Sequence, residues 1–322
     1  MNYIKDNGMM EKLPFWKFGG KSSSAEKYLF ENENGSGQML LYNVLPGLKL
    51  AVTELNGSTM NFYHHAVSGV MQVNCCLNGR MGWVMQGGRS IYLGQGDVSF
   101  HMMDCCTVSG ITLPLGHYSG IALFVDLNMA AQPFAETLNL SDVDLPAWAE
   151  KFCRGGEVTV WPGAAEIADM FALLPRVKSE YRQAYFKLKA QEMLLFLVMY
   201  GVPHLKTVES CEERYMEIIK KIHAKITASW QEHYTIEQLA REHSINASVL
   251  KKVFKMVYGK PMAQYMKEYR MRKAAALLVA GSSSVAEIAA AAGYGSQSKF
   301  AAAFKQVMQL APTEYRMRYG KK

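Results

Sequence analysis

The stretch Ile236-Glu-Gln-Leu239-Ala240 has a second copy 49 residues later, in Val285-Ala-Glu-Ile288-Ala289. The copies continue alike, with the spacing rising to 50 residues, and the matching apolar positions are Ile245 and Tyr294, Leu250 and Phe300, and Phe254 and Phe304. Each copy has the periodicity of a short amphipathic helix, a tight turn and a second amphipathic helix. The sequence therefore predicts two helix-turn-helix units, and this duplication indicates contact with two neighbouring stretches of one DNA duplex.

Helix-start signals recur along with the apolar positions. Thr235 with Gln238 forms one capping-box pattern, and Ser284 with Glu287 forms the second. Between the units, residues 261–280 are expected to form a connecting helix about 30 Å long, at ~1.5 Å per residue. Successive major grooves on one face of B-DNA lie about 34 Å apart, so one chain can place two recognition helices in adjacent grooves. A plain helical bundle is the alternative interpretation.

The same region resembles a known family. The residues that carry the resemblance are Ala276-Leu-Leu278, Val285-Ala-Glu-Ile-Ala289, Gly293-Tyr294, Phe300, Phe304-Lys305 and Ala311-Pro312-Thr-Glu-Tyr315-Arg316. Over about residues 215–319 they are similar to the signature of the AraC/XylS family of bacterial transcription regulators, except that Gln309-Leu-Ala-Pro312 lacks the family's usual glycine. The resemblance implies a regulator, more often an activator, whose partners are double-stranded promoter DNA and RNA polymerase.

The recognition helices supply the candidate DNA contacts. By position, the resemblance assigns base and phosphate contacts to an outer face that consists of Ser248, Lys251, Lys252, Lys255, Ser296, Gln297, Ser298 and Lys299, with Lys305 and Arg316 as phosphate candidates. Lysine can donate to guanine and Gln297 can pair with adenine. Ala301–Ala303 stand where the family often carries longer polar side chains, so the second helix is expected to rely on phosphates and thymine methyl groups. The alternatives are solvated lysines and a structural role for Arg316.

The distribution of charge along the chain supports a DNA-binding role for the C-terminal part. The chain of 322 residues has a formal net charge of +7. Residues 212–322 carry 19 Lys and Arg against 9 Asp and Glu, whereas residues 1–211 carry 16 against 19, so the two parts have net charges of +10 and −3. A basic C-terminal third is expected of a module that neutralises phosphates.

The N-terminal part has short β-favouring runs separated by turn residues, which is typical of a sandwich or barrel. Ile91-Tyr-Leu-Gly-Gln-Gly96-Asp97 resembles the turn of a cupin-like effector domain. The expected fold class is α+β: an N-terminal cupin-like β-barrel with a helical connector, and a C-terminal all-α pair of helix-turn-helix units. The predicted segments are an irregular segment (1–37), the β domain (38–145), a helical connector with possible homodimerisation (146–202), a linker (203–211) and the DNA-binding domain (212–322).

A cupin-like barrel can enclose a small-molecule effector. The candidate lining residues are Phe62, His64, Trp83, Met85, His101 and Tyr118. Ordinary core packing is the alternative for each of them. A second alternative is that a protein partner, rather than a metabolite, controls the N-terminal domain.

Other chemistry finds less support in the sequence. His64 and His65 are adjacent, so a metal site of the cupin type, a cofactor and an enzymatic activity are not expected. The alternative of a thiol or metal sensor rests on Cys75-Cys76 and Cys105-Cys106 with His101, without a Cys-x-x-Cys spacing. No apolar run reaches the ~18 residues of a membrane span, and no signal region begins the sequence. We therefore expect no membrane partner, a cytoplasmic location and reduced thiols, with neighbouring cysteines on opposite faces of a strand.

Overall fold

The computed structural model describes residues 13, 15–22, 25–63, 65–85, 89–104, 108–141, 143–153, 157–200, 205–207, 210–281 and 283–320. The chain divides into two compact units, Met1–Ser210 and Cys211–Lys322. The first unit combines strands with helices and the second is almost entirely helical, which confirms the predicted α+β class with two domains.

Antiparallel strands form the framework of the N-terminal unit. Its strands, within the described residues, are β1 (Lys17–Lys21), β2 (Glu26–Asn32), β3 (Gly35–Leu45), β4 (Leu48–Gly57), β5 (Thr59–Tyr63), β6 (Val70–Met85), β7 (Arg89–Gly94), β8 (Val98–Met102), β9 (Val108–Thr112), β10 (His117–Asp126), β11 (Thr159–Trp161) and β12 (Lys206–Thr207). The main sheet has the order β1-β2-β3-β4-β10-β6-β8-β11-β12.

The long strand β6 curls this sheet. Its first half pairs with β8 and β10, while its second half pairs with β7 and β9. Because the two halves of β6 pair with different strands, the sheet bends around an interior. At this bend β10 shifts its register against β6, between Ser119 and Gly120. The result is the curled antiparallel sheet that the barrel prediction requires.

Helices cover the outer face of the main sheet. They are α1 (Ala131–Leu138), α2 (Leu145–Phe152), α3 (Ala165–Met170) and α4 (Arg182–Tyr200), with 3₁₀ turns at Leu174–Arg176 and Ser179–Tyr181. Phe134, Phe152 and Phe186 are fully buried in this layer together with Leu123 of β10. This aromatic core fixes the outer face, which leaves the opposite face of the sheet to line the interior.

The two thiols of Cys75 and Cys76 illustrate the two faces. Cys75 packs in the core beneath the helices, whereas Cys76 packs in the interior core with Trp83 and Tyr118. The prediction that neighbouring cysteines point to opposite faces is therefore confirmed for this pair. Both are free and buried, because both faces of the sheet are covered.

The structure differs from three expectations about the N-terminal unit. Within the segment expected to be irregular (1–37), Lys17–Lys21 and Glu26–Asn32 are strands, since Tyr28 and Phe30 alternate into the core and hold β2 in the sheet. The region expected to be a helical connector (146–202) also contains the strand β11, which pairs with β8, and its helix α4 packs on β3. Within the expected linker, Lys206–Thr207 forms a strand against β11.

The C-terminal unit carries the predicted helices. After the short strand β13 (Cys211–Glu212) they are α5 (Glu213–Ala228), α6 (Ile236–Glu242), α7 (Ala247–Tyr258), α8 (Met262–Ala280), α9 (Val285–Ala291), α10 (Gln297–Met308) and α11 (Pro312–Tyr319). Both capping boxes are present, with Thr235 and Gln238 at α6 and Ser284 and Glu287 at α9. Among the helices that the structure describes in either unit, none has the length and apolar character to cross a membrane.

Candidate nucleic-acid interface and interior cavity

The first recognition helix, α7, has one buried face and one lysine-rich face. Leu250, Val253, Phe254 and Val257 are buried, and this apolar stripe fixes the rotation of the helix. As the spacing predicts, the exposed side chains on the other face are Ser248, Lys251, Lys252 and Lys255. The helix therefore presents three cations to solvent.

Local contacts orient the N-terminal end of α7. Oδ1 of the N-cap residue Asn246 accepts hydrogen bonds from the backbone N of Ser248 at 2.8 Å and from its hydroxyl at 2.7 Å. Nζ of Lys251 lies 4.0 Å from Oε1 of Glu237. Both side chains of this ion pair are exposed, so the pair is weak and Lys251 can exchange it for a phosphate or a base.

The second recognition helix, α10, has a different surface. Phe300, Ala303 and Phe304 form its buried stripe, and the predicted residues Ser296, Gln297, Ser298, Lys299 and Lys305 are exposed. The repeat aligns Lys251 and Lys252 with Ala301 and Ala302, while Lys255 aligns with Lys305. The Ser296 hydroxyl oxygen accepts from the backbone N of Lys299, so this serine serves as a helix cap.

Arg316 differs from the other candidates. Its side chain is half-buried, and Nη2 donates a hydrogen bond to the backbone oxygen of Ser283, which precedes α9. The contact ties α11 to the start of the second helix-turn-helix unit. The structure therefore favours the structural alternative for Arg316 over a phosphate contact.

Within the C-terminal unit, helix α8 joins the two helix-turn-helix motifs and sets the distance between them. It has 19 residues, which at ~1.5 Å per residue gives a length of about 28 Å. This length is close to the spacing of successive major grooves, about 34 Å. One chain thus carries two exposed recognition helices on a common rigid connector.

Sequence reasoning missed the role of Arg270 in this connection. The buried Arg270 of α8 donates from Nε to the backbone oxygen of Trp230 and from Nη2 to that of Glu232, both at 2.7 Å. In the same segment, Nε2 of His233 lies 3.1 Å from the backbone oxygen of Gly293. The segment after α5 therefore contacts the turn between α9 and α10, in the second helix-turn-helix motif. The sequence signal for this contact was the presence of an arginine within the apolar stripe of α8.

The interior of the N-terminal unit contains a cavity of about 140 Å³. Of the predicted lining residues, Trp83, His101 and Tyr118 line it together. The side chains of Phe62 and Met85, on β5 and β6, lie outside what the structure describes, and so does His64. The three placed residues come from β6, β8 and β10, which the curl of β6 brings around one interior.

Other lining residues escaped sequence reasoning. The cavity also contacts Leu13, Phe15, Trp16, Met39, Thr53, Leu55, Gln72, Asn74, Met81, Met103, Ile111, Gly120, Ile121, Ala122 and Phe124. Gln72 and Asn74 alternate with buried Val73 and Cys75 on β6, so period-two spacing would have grouped them once the inner face was known. Both faces of β6 are covered, and the sequence alone does not say which face is interior.

The thiols near the cavity are poorly suited to reaction. Burial raises the pKa of Cys75 and of Cys76 to about 12, with Asp97 adding to the shift at Cys75 and Cys75 itself adding at Cys76. The reactive thiolate is therefore scarce at neutral pH. Among residues with a described position, no group of three or more His, Cys, Asp or Glu could hold a metal ion. Cys105 and Cys106, the other half of the sensor hypothesis, lie outside the described residues.

Comparison with known proteins places the C-terminal region. A family model described as a helix-turn-helix domain matches residues 239–318. The chain is 30% identical over 119 residues to the HTH-type transcriptional activator RhaR of Mannheimia succiniciproducens, which covers 36% of this chain and 43% of that protein. It is 34% identical over 95 residues to an AraC-like transcription regulator of Streptomyces lividans, which covers 30% of each.

Among solved structures, the C-terminal domain of AraT, a response regulator from Geobacillus stearothermophilus, is 27% identical, with a TM-score of 0.32. The match covers 33% of this chain and 88% of that domain. The chain spans less than half the length of each of the two curated relatives, RhaR and the Streptomyces lividans regulator.

Two capped helix-turn-helix units on one connecting helix, each with an exposed recognition face, define a DNA-binding domain with a duplicated motif. The family model matches residues within this domain. Residues 239–318 are therefore a helix-turn-helix domain of the AraC type, which agrees with the resemblance in the sequence.

Proposed function

We propose that the protein is a bacterial, cytoplasmic, sequence-specific transcription regulator, acting as an activator through RNA polymerase and controlled by a small molecule in the N-terminal cavity. The observation that carries the proposal is the pair of exposed recognition faces, on α7 and α10, at the two ends of α8. The named relatives are transcription regulators, one of them an activator. The cavity of the other unit supplies a place for the effector.

DNA recognition is tested by enrichment of genomic fragments on the purified full chain at near-physiological salt. We expect an enriched site with two short elements about one helical turn apart, since α8 spans about 28 Å. Lys251→Ala and Gln297→Ala are expected to lower affinity about tenfold at their respective elements, because one good base contact is worth ~1–3 kcal/mol. Lys221→Ala is the matched control, since this lysine is exposed on α5 and belongs to neither recognition helix.

Two results would contradict this proposal. One is uniform recovery of all fragments by the wild-type protein, both alone and with the effector. The other is an unchanged affinity and an unchanged sequence preference in both recognition variants. Equal losses in Lys221→Ala would show that the effect depends on net charge rather than on the recognition faces.

For the predicted homodimer, we propose α4 as the contact. Tyr181, Tyr185, Leu188, Leu195 and Met199 follow one another on one side of the helical segment at coiled-coil spacing, with Glu192 between them. Tyr181, Leu188 and Met199 are exposed by 61%, 67% and 70% of their surface. Contact with a second copy would remove these three exposed side chains from water, whereas Tyr185 and Leu195 already pack partly against the core of their own chain. The spacing supports pairing of two identical helices.

The oligomeric state tests this contact. Leu188→Glu is expected to convert a dimer to a monomer, measured by sedimentation at micromolar concentration, because it places a charge in the centre of the apolar row. Lys187→Glu is the matched control, since Lys187 is exposed beside the row. A wild-type monomer at these concentrations, or an intact Leu188→Glu dimer, would contradict the proposed contact.

A further inference from the structure

The described wall of the N-terminal cavity contains no Lys, Arg, Asp or Glu. It consists of apolar and aromatic side chains, of the polar side chains of Thr53, Gln72, Asn74 and Tyr118, and of the imidazole of His101. A bound carboxylate or ammonium group would lose its hydration without gaining the countercharge of a Lys, Arg, Asp or Glu side chain, which opposes its binding. The cavity therefore disfavours ionic ligands.

The volume of the cavity restricts the size of its ligand. At about 140 Å³ it is close to the ~150 Å³ of an engineered apolar cavity that binds benzene. Trp83, Trp16 and Phe15 supply aromatic surfaces around it. A single six-membered ring matches this space and can pack against these rings edge-on or offset.

Two polar side chains in the wall, Tyr118 and Gln72, each have an oxygen atom without a hydrogen-bond partner among the described residues. Tyr118 is only 4% exposed, and its hydroxyl makes no hydrogen bond to any described residue. The hydroxyl lies over Gly120, in the space where a Cβ would be, so the glycine allows it to reach the cavity. Burial raises the pKa of Tyr118 well above its usual value, so the group is a neutral hydroxyl that can donate and accept.

Gln72 is the second polar group. Its Nε2 donates to Oδ1 of Asn74 at 2.7 Å, and Nδ2 of Asn74 donates to Oγ of Ser99 at 3.3 Å. This chain of contacts orients the amide of Gln72, whose Oε1 accepts no hydrogen bond within the described part of the chain. A ligand that supplies a hydrogen-bond donor to this half-buried oxygen gains affinity here.

We propose that the cavity binds an uncharged, single-ring aromatic compound with one hydrogen-bonding substituent, of the phenol class. The ring fills the apolar space, and the substituent bonds to the hydroxyl of Tyr118 or to Oε1 of Gln72. This inference rests on the proposed function, because it specifies the effector of the proposed regulator.

Three single-ring probes, of which phenol and toluene are isosteric, test the proposal by calorimetric titration of the full chain in the absence of DNA. They are phenol, toluene and benzoate at pH 7. We expect phenol to bind, toluene to bind without the polar contribution, and benzoate not to bind at millimolar concentration. Tyr118→Phe, which removes one oxygen, is expected to weaken phenol binding about fivefold and to leave toluene unchanged. Gln72→Met tests the amide in the same way, and an effect of either variant supports the hydrogen bond.

Tyr42→Phe is the matched control, because Tyr42 is buried against Phe186 on the outer face of the sheet, away from the cavity. Benzoate binding as tight as phenol binding would overturn the proposal. So would failure of both neutral probes to bind the folded wild-type protein, or equal affinity for phenol in the wild type and in both variants.

The titrations separate the ligand from its regulatory role, because they are made without DNA. If phenol binds and the DNA affinity of the same sample does not change, the cavity assignment holds and control by this ligand fails. If no sample binds specific DNA, the proposed function fails while the titrations still decide the ligand class.

Discussion

Gln309 shows at the level of one residue how the two units differ. It ends α10 with a φ of 62°, in the left-handed region, where the equivalent Gly259 ends α7 with a φ of 78°. The left-handed conformation brings a Cβ close to the following carbonyl, which costs about 1–2 kcal/mol for a residue other than glycine. The departure from the family's glycine therefore leaves the turn intact but strained.

Gln309→Gly is expected to stabilise the protein by about 0.5–1 kcal/mol in denaturant unfolding, because the relief of strain exceeds the added entropy of the unfolded chain. Gly259→Ala should shift stability by about 1 kcal/mol in the opposite direction. A destabilised Gln309→Gly variant would show that the glutamine side chain contributes more to this turn than its backbone strain costs.

His223 makes the C-terminal unit sensitive to pH. Burial lowers the pKa of its imidazole to about 4, and the ring stacks on Tyr258 while Nε2 lies 2.7 Å from the Tyr265 hydroxyl. Since the unfolded imidazole titrates near 6.5, the unfolded state binds more protons between pH 6.5 and 4. Stability from this group is complete above about pH 6.5 and falls as the pH decreases toward 4.

Between pH 7 and pH 5 we expect His223 to account for a loss of about 1 kcal/mol in the free energy of unfolding, after allowance for its partial exposure. His223→Phe keeps the stacked ring and cannot be protonated, so its stability should depend less on pH by this amount. Chemical unfolding of both proteins at the two pH values measures the difference. Parallel pH profiles would assign the pH dependence to other groups.

At the scale of helices, the exposed faces of α7 and α10 differ in charge where the repeat aligns them. Ala302 is exposed and stands at the position of Lys252. Ala302→Lys is expected to steepen the dependence of log affinity on log salt by about 0.9, because it adds one phosphate contact, and to weaken discrimination at the second element. Titrations on specific and scrambled DNA at three salt concentrations measure both effects.

Ala276→Lys adds the same charge at an exposed position of α8 and serves as the control. Equal slopes in the two variants would mean that α10 does not face the DNA backbone more closely than the connecting helix does. A steeper slope in Ala302→Lys alone places the alanine-rich face against the duplex.

The helical elements could be predicted because their signals are local. The capping boxes at Thr235 and Ser284, the apolar stripes and Gly281 lie within a few residues of the features that they determine. The pairing of β11 with β8 and the contact of Arg270 with Trp230 depend on residues that are distant in sequence. The inner lining of the cavity was only partly predicted, because β6 has apolar side chains on both faces.

At the scale of the whole molecule, the division at Ser210 and Cys211 separates a cavity-bearing unit from a basic unit with its own core. Met271, Leu278, Ile288, Phe300 and Phe304 are fully buried against one another within the C-terminal unit. Five such side chains and both capping boxes belong to this unit alone, so residues 211–322 hold the packing that a domain needs to fold independently.

A fragment of residues 211–322 is therefore expected to unfold cooperatively and to bind the enriched DNA site with the same salt dependence as one subunit of the full chain, since the charge of +10 lies within it. Its affinity for DNA should not respond to phenol, because the cavity belongs to the other unit. Calorimetric unfolding and DNA titration with and without phenol measure both properties, with the full chain alongside. A fragment that is unfolded, or one whose DNA affinity phenol changes as much as that of the full chain, would contradict the assignment of recognition and control to separate units.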